Sequence, residues 1–207
     1  MNDNPLFRKY NVAAVQLDRQ QKAKEAVLAL PQEALGEDIE KLAGEIVASL
    51  AMTLPVLDLP NVYQTDREVQ LDARRLPNRM VFDRSRPVPV PGTEITIHIP
   101  FHGDAWLFEV CPSNHNMNPP VAEIDAANKE ILLIYQTAEA AWPIKARYEA
   151  TVNEIQQHLQ WLRPEIEETD SLRQVTRAEV AKRKQSYESH NKIVQSLGLP
   201  RRNARGA

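Results

Sequence analysis

Between Tyr148 and Ile166 the apolar residues Tyr148, Val152, Ile155, Leu159, Leu162 and Ile166 recur at spacings of 4, 3, 4, 3 and 4. That alternation returns one side chain to the same helix face at each step, as in a seam packed on another helix. It predicts a long helix from about Ile144, and the stretch from there to Leu197 reads as two long helices. A seam of this kind needs a second apolar surface, supplied by the chain's own core or by another molecule. Tyr148, Val152, Ile155, Leu159 and Leu162 are therefore the candidate partner-binding residues, through which the C-terminal helices dock a protein partner or a second copy.

Punctuation divides this helical region. Pro143 lies near the start of the first helix, where a missing amide costs nothing. Pro164 lies inside it and forces either a kink or a stop and restart, and Ser171-Leu-Arg-Gln174 has the form of a capping box for the restart. Gly198 and Pro200 predict the end of the second helix. That helix is polar, with Leu172, Val175, Val180, Tyr187 and Val194 too sparse for a full core face, and the tail from Arg201 to Ala207 is expected to be mobile.

At the other end, Asp18 with Gln21 resembles a capping box and predicts a helix over about 18–30, stopped by Pro31. Ile39, Leu42, Ala43, Ile46, Val47 and Leu50 share one face and predict a helix over about 37–52. Its apolar side has to be buried, and the β section that follows is the expected cover.

Most of the 15 prolines lie between residues 55 and 120, so extended segments and rigid turns are expected there. Val56–Pro60 and Arg79–Asp83 read as short strands. Pro87, Pro89 and Pro91 alternate with valines in an extended run that reads as a connector, with an edge segment or a recognition motif as the alternatives. Ile95, Ile97, Ile99 and Phe101 alternate with polar residues, the pattern of a half-buried strand. A turn at His102-Gly103 is expected to fold Asp104–Cys111 back on this strand, with Ile99 facing Trp106, Ile97 facing Phe108 and His98 near Glu109. A second hairpin is expected from Val121 to Thr137, turning near Ala126–Lys129.

The densest group of chemically capable side chains is His98, His102, Asp104, Glu109, Cys111 and His115. These residue types ligate metals and move protons. Against that reading, their spacing matches no closed zinc pattern, and turn, solvent-face and packing roles account for each of them. Cys111 and His115 are close in sequence, but no glycine-rich elbow precedes the thiol. Six glycines are scattered singly, which leaves neither a P-loop nor a dinucleotide fingerprint. No catalytic residue, metal or cofactor is therefore assigned.

Net charge is −3, so the chain has no global electrostatic footprint for nucleic acid. Arg173, Arg177, Lys182, Arg183, Lys184, Lys192, Arg201, Arg202 and Arg205 make the C-terminal segment basic. Solvated helix charge, pairing with Glu165, Glu167, Glu168 and Asp170, is preferred over a nucleic-acid patch. A single Cys excludes an internal disulfide and fits a reducing compartment. No apolar run is long enough to cross a bilayer.

Pro100-Phe-His-Gly-Asp-Ala-Trp-Leu-Phe-Glu-Val-Cys-Pro-Ser113, the long helical region and Leu197-Gly-Leu-Pro-Arg-Arg202 together resemble uncharacterised bacterial proteins, over about half the chain. The resemblance implies a bacterial, cytoplasmic origin and a multi-protein setting such as antiviral defence, and it carries no site assignment.

The sequence thus predicts an α+β fold. A small antiparallel sheet of β-hairpins packs on an N-terminal helix, and a long C-terminal helical hairpin extends from it. The domains expected are 1–142 and 143–207. The function expected is that of a non-enzymatic interaction or scaffold subunit. The alternatives are a hydrolase or nuclease using His98, Glu109 and Cys111, and a nucleic-acid-binding accessory protein.

Overall fold

The computed structural model describes residues 4–76, 82–83, 85–138 and 143–196. Its strands are β1 (Tyr10–Asn11), β2 (Val56–Leu57), β3 (Tyr63–Asp72), β4 (Pro89–His102), β5 (Val110–Cys111), β6 (Glu123–Asp125) and β7 (Glu130–Thr137). Its long helices are α1 (Val12–Ala29), α2 (Ile39–Ser49), α3 (Ile144–Glu167) and α4 (Asp170–Ser196). The fold is α+β, with an antiparallel sheet and a long, directly joined C-terminal helix pair.

The chain forms two compact units, Met1–Ala13 with Met52–Glu167, and Ala14–Ala51 with Glu168–Ala207. The division does not follow the step expected at 142/143: α3 belongs with the sheet, and α4 with α1 and α2.

In the first unit β4 is the central strand, paired antiparallel with β3 and β2 on one side and with β7 on the other. The proline run at 87–91 is not a connector, since from Pro89 onward it is the start of β4. The phase of the prolines explains how a strand tolerates them. Ala73 N–H donates to Val88 O at 2.8 Å. The ladder continues through Leu71↔Val90 and Val69↔Gly92, so even-numbered residues of β4 turn their amides toward β3. Pro89 and Pro91 point the other way, ahead of the first β7 pair at Thr93↔Thr137. Their missing amides cost no ladder bond. Pro100 has the opposite parity and falls where β3 hands over to β2, between Tyr63↔His98 and Leu57↔Phe101.

The expected hairpin about His102-Gly103 does not form. Gly103 does have a positive φ of 106°, but the turn is tied to a different neighbour. Asp104 N–H donates to Thr53 O at 2.9 Å, and Thr53 N–H donates to the Asp104 carboxylate at 2.7 Å. Residues Ala105–Glu109 then wind into a 3-10 turn, and Val110–Cys111 pair in parallel with Tyr10–Asn11. The partner of β4 is β7, so Ile99 faces Ile131 and Ile97 faces Leu133. The hairpin of β6 and β7 does form, with Asp125↔Glu130 closing the turn at 126–129. Asp125 Oδ1 accepts the amides of Ala127 and Asn128 there.

Ile97, Ile99, Phe101, Ile131 and Leu133 line the buried face of this sheet. An aromatic column continues the core: Phe101 meets Phe108 edge-on at 5.0 Å, Phe108 meets Phe7 at 6.1 Å, and Phe7 stacks on His158 of α3 at 4.9 Å.

In the second unit the starts of the helices are shifted from those expected. α1 begins six residues before Asp18, where Asn11 Oδ1 accepts the Ala13 amide at 2.8 Å. Asp38 caps α2 through the amides of Glu40 and Lys41. The sheet is not the cover for α2. Its Leu42, Ile46 and Val47 are buried with Ala23 and Val27 of α1 and Leu172 and Val180 of α4. In the first unit, α3 runs through Pro164 to Glu167. The restart is capped by Glu168 rather than Ser171, its carboxylate accepting the Ser171 amide and hydroxyl at 3.0 Å each. The expected strand at 79–83 lies largely outside the described residues, as do Gly198, Pro200 and the tail.

Close approach at Gly92 generates a prediction. A Cβ there would lie 2.4 Å from Leu71 Cδ1 and 2.9 Å from Thr137 O. Leu71 is buried and the carbonyl belongs to the ladder, so neither can yield freely. Gly92→Ala is expected to lower stability by about 1–3 kcal/mol, the usual cost of overpacking, read as a reduced midpoint in urea unfolding.

Candidate functional site

The polar face of the sheet carries the best-organised set of chemically capable groups. Even-numbered residues of β4 lie on this face, opposite odd-numbered residues of β3 and even-numbered residues of β7. Tyr63 lies across from His98, and their rings stack at 4.4 Å with an 8° interplanar angle. His98 Nδ1 is 2.9 Å from Glu130 Oε2, and Nε2 is 3.1 Å from Thr65 Oγ1. Tyr63 OH donates to the other carboxylate oxygen, Glu130 Oε1, at 2.9 Å. A carboxylate only accepts, so Nδ1 is the donor to Glu130, and in the Nδ1–H tautomer Nε2 accepts from the Thr65 hydroxyl. The result is a hydroxyl–imidazole–carboxylate relay, Thr65–His98–Glu130, with a tyrosine covering the ring. The donated bond and the negative charge of Glu130 raise the Tyr63 phenol above its ordinary pKa.

Four residues along the strands a second polar row forms. Arg67 Nε donates to Glu94 Oε1 at 2.6 Å, and Gln136 Nε2 donates to Oε2 at 2.8 Å. These bonds, Gln136 first, hold the buried Glu94 carboxyl below the usual carboxylate range against the effect of burial.

The group expected from sequence does not come together. Glu109 pairs with Lys9 at 2.9 Å, and His98 with Glu130. His115 Nδ1 lies 3.1 Å from Pro112 O, Cys111 Sγ contacts the same carbonyl at 3.6 Å, and Asp104 serves the turn at Thr53. His102 is exposed at the end of β4, across from Val56. Burial, with a smaller effect of Glu165, pushes the Cys111 thiol up, which makes it a poor nucleophile. Among the described residues no three His, Cys, Asp or Glu side chains are grouped to hold a metal ion.

The helical seam is placed differently from a docking surface. Val152, Ile155, Leu159 and Leu162 are all buried, and Tyr148 is half-buried. Three of the basic residues of α4 meet acceptors in their own unit rather than the acids at 165–170. Arg177 pairs with Glu40 at 2.5 Å. Arg183 donates to the carbonyls of Val27 and Leu30 at the C-terminal end of α1, a favourable place for a cation. Lys184 donates to Glu37 O.

Tyr63 and Thr65 escape the sequence reading because the run of charges in β3 hides its alternation, and Glu130 because its neighbour across the sheet depends on the β4–β7 register. The usable signal is the alternation of Tyr63, Thr65, Arg67, Val69 and Leu71, which puts a tyrosine and a hydroxyl on one face of a strand.

A second feature is a cleft of about 840 Å³ at the outer side of β7, bounded by residues 118–123 and by α3 from Arg147 to Glu154. β6 covers β7 only from Glu130 to Leu132, and beyond that Ile134 and Gln136 are exposed.

Compared with protein-family models, curated proteins and solved structures, the chain matches none of them. No helix among the described residues is long and apolar enough to cross a membrane.

The hydrogen bond from Tyr63 to Glu130 makes a checkable statement. Glu130→Gln removes the charge that disfavours the phenolate, so the Tyr63 pKa should fall toward the ordinary tyrosine value. Ultraviolet titration against a Tyr63→Phe control reads the shift; an unchanged or raised Tyr63 pKa contradicts the geometry.

Proposed function

We propose that this protein is a non-enzymatic interaction subunit of a bacterial multi-protein complex, acting in the cytoplasm. The carrying observation is the bare stretch of β7 at Ile134 and Gln136, a strand edge lying in a cleft. Edges of this kind pair with other chains unless charge, proline or a covering element guards them. β3, the other long edge, is guarded by Asp66, Arg67, Glu68 and Asp72, whereas Leu133–Thr137 contains neither charge nor proline. The dispersal of the His98, Glu109 and Cys111 group removes the set on which an enzymatic reading first rested. The engagement of Arg177, Arg183 and Lys184 within their own unit weakens the nucleic-acid reading. The sequence resemblance adds the bacterial, cytoplasmic setting and a system such as antiviral defence. Tagged at its own locus and purified natively, the 23.5 kDa chain is expected in a stoichiometric complex of higher mass by mass photometry. Recovery as an isolated chain at native concentration counts against the proposal.

A second reading, hydrolase, rests on the Thr65–His98–Glu130 relay. In it Thr65 Oγ attacks an ester carbonyl as its proton passes to His98 Nε2, which returns the proton to the leaving alcohol; water, activated by the same nitrogen, then releases the acyl group. With p-nitrophenyl acetate this reading requires acetylation at Thr65 by mass spectrometry, lost in Thr65→Val and in His98→Gln. Absence of the adduct eliminates it.

A further inference from the structure

The bare part of β7 has a definite hydrogen-bonding phase. Phe101 N–H donates to Lys129 O at 2.9 Å, in the same register that pairs Ile99 with Ile131 and Ile95 with Tyr135. Odd-numbered residues of β7 therefore spend their amides and carbonyls on β4, and even-numbered ones turn outward. β6 takes the outward groups of Glu130 and Leu132. Those of Ile134 and Gln136, two N–H and two C=O groups, have no backbone partner among the described residues.

The chain's own continuation of β6 is diverted from this position. Extended backward in register, Val121 and Pro119 would lie opposite Ile134 and Gln136. Instead Val121 bridges to Pro5, Leu6 N–H donates to Pro120 O at 2.9 Å, and Ala122 N–H donates to Asn4 O at 3.3 Å. Pro119 also has no amide to give Gln136. The segment best placed to close the edge is held elsewhere, and the wedge between it and β7 is the 840 Å³ cleft.

We infer that this cleft receives an extended, uncharged peptide segment of a partner protein, which adds to β7 as an antiparallel strand continuing the line of β6. This rests on the interaction-subunit reading and names the chemistry of the partner. Four outward backbone groups call for another backbone, and an extended peptide supplies it. The cleft is within the roughly 300–1,000 Å³ range of small-ligand sites, room for a short segment but not for the edge of a second folded sheet between its walls. The charges at its rim nearly cancel, Arg67 and Arg147 against Glu94, Glu123 and Glu154, so no strong sign selects a charged ligand. By parity, the peptide residue opposite Tyr135 shares its side of the sheet, where Ala150 and Thr151 of α3 line the cleft. A small apolar residue suits that position, and its two neighbours lie over Ile134 and Gln136.

The probe is a phage-displayed library of random peptides selected on the full-length chain, followed by synthesis of the enriched sequences. Enriched peptides are expected to carry an apolar residue between uncharged neighbours and to slow amide exchange at Ile134 and Gln136. Binding should change less than twofold between low and high salt. Ile134→Pro removes an amide that has no backbone partner among the described residues, and is expected to weaken binding at least tenfold while leaving the thermal melt in place. Ile134→Thr keeps the edge and discards apolar surface, and is expected to bind within threefold of the parent. If Ile134→Pro does not fold, the exchange pattern of the parent chain decides the question alone. The inference is overturned if no enriched peptide protects those two amides, or if Ile134→Pro binds like the parent. It is equally overturned if the free chain dimerises through this edge and Ile134→Pro makes it monomeric. Persistence of the native complex with Ile134→Pro overturns strand addition and leaves the subunit reading standing; selective loss of the complex supports both.

Discussion

The aromatic column through Phe101, Phe108, Phe7 and His158 is the constraint on which the sheet unit depends. It joins three distant parts of the chain: the central strand with the turn after it, the N-terminal segment, and α3. The N-terminal segment is the middle layer. Phe7 takes φ of 54°, which a bulky residue rarely adopts. Its amide donates to Phe108 O at 2.6 Å, and its ring is almost fully buried between Phe108 and His158. Packing of this density over-determines the backbone and holds a conformation that local preference disfavours. The same insertion brings Tyr10–Asn11 beside Val110–Cys111 and Asn4–Leu6 beside Pro120–Ala122. By drawing residues 120–122 toward the N-terminus, the column also keeps them away from β7. The open edge is thus a consequence of how the core closes.

Histidine at position 158 shows the same logic in miniature. Its Nδ1 lies 2.8 Å from Glu154 O, and its Nε2 is buried without a hydrogen-bond partner among the described residues. An unpartnered buried nitrogen is costly. The stacking of the ring on Phe7 and its edge contact with Trp161 at 5.1 Å are the contacts that offset this cost. The position behaves as an aromatic core residue with a polar handle rather than as a chemical group.

The helical part of the fold was legible because its periodicity does not depend on a partner's register. The seam at Val152–Ile166 and the apolar face at Leu42–Val47 are both helical and both buried, as their spacing demands. What occupies the other side of each face is a matter of tertiary pairing, and there local reading fails. α4 looked too polar to be a core element, yet Leu172 and Val180 are enough because α1 and α2 supply the remainder. The alternation of Ile95–Phe101 identified a strand and its buried face, but several partners satisfy such a pattern. A tight turn at Gly103 would put the residues after it opposite Ile99, whereas Asp104 binds Thr53 and β7 takes that place. With the register went the site: His98 meets Glu130, 32 residues away, instead of Glu109.

Where the sheet has hydrogen-bonding capacity left over decides what it is equipped to do. An oxyanion site on the Thr65–His98–Glu130 face would need donors aimed out of the plane of the sheet. The amides of β4 lie in that plane and are committed to β3, β2 and β7, or are absent at proline. Arg67 and Gln136, side-chain donors on the same face, are already bonded to Glu94. Among the described residues, the backbone groups of β7 without a backbone partner lie instead at Ile134 and Gln136, in the plane of the sheet and along one line. That arrangement matches another strand better than a reacting carbonyl. The relay on the polar face then has a structural account, as a cross-strand clasp holding β3 to β4 and to the β6–β7 turn, beside an edge left available for binding.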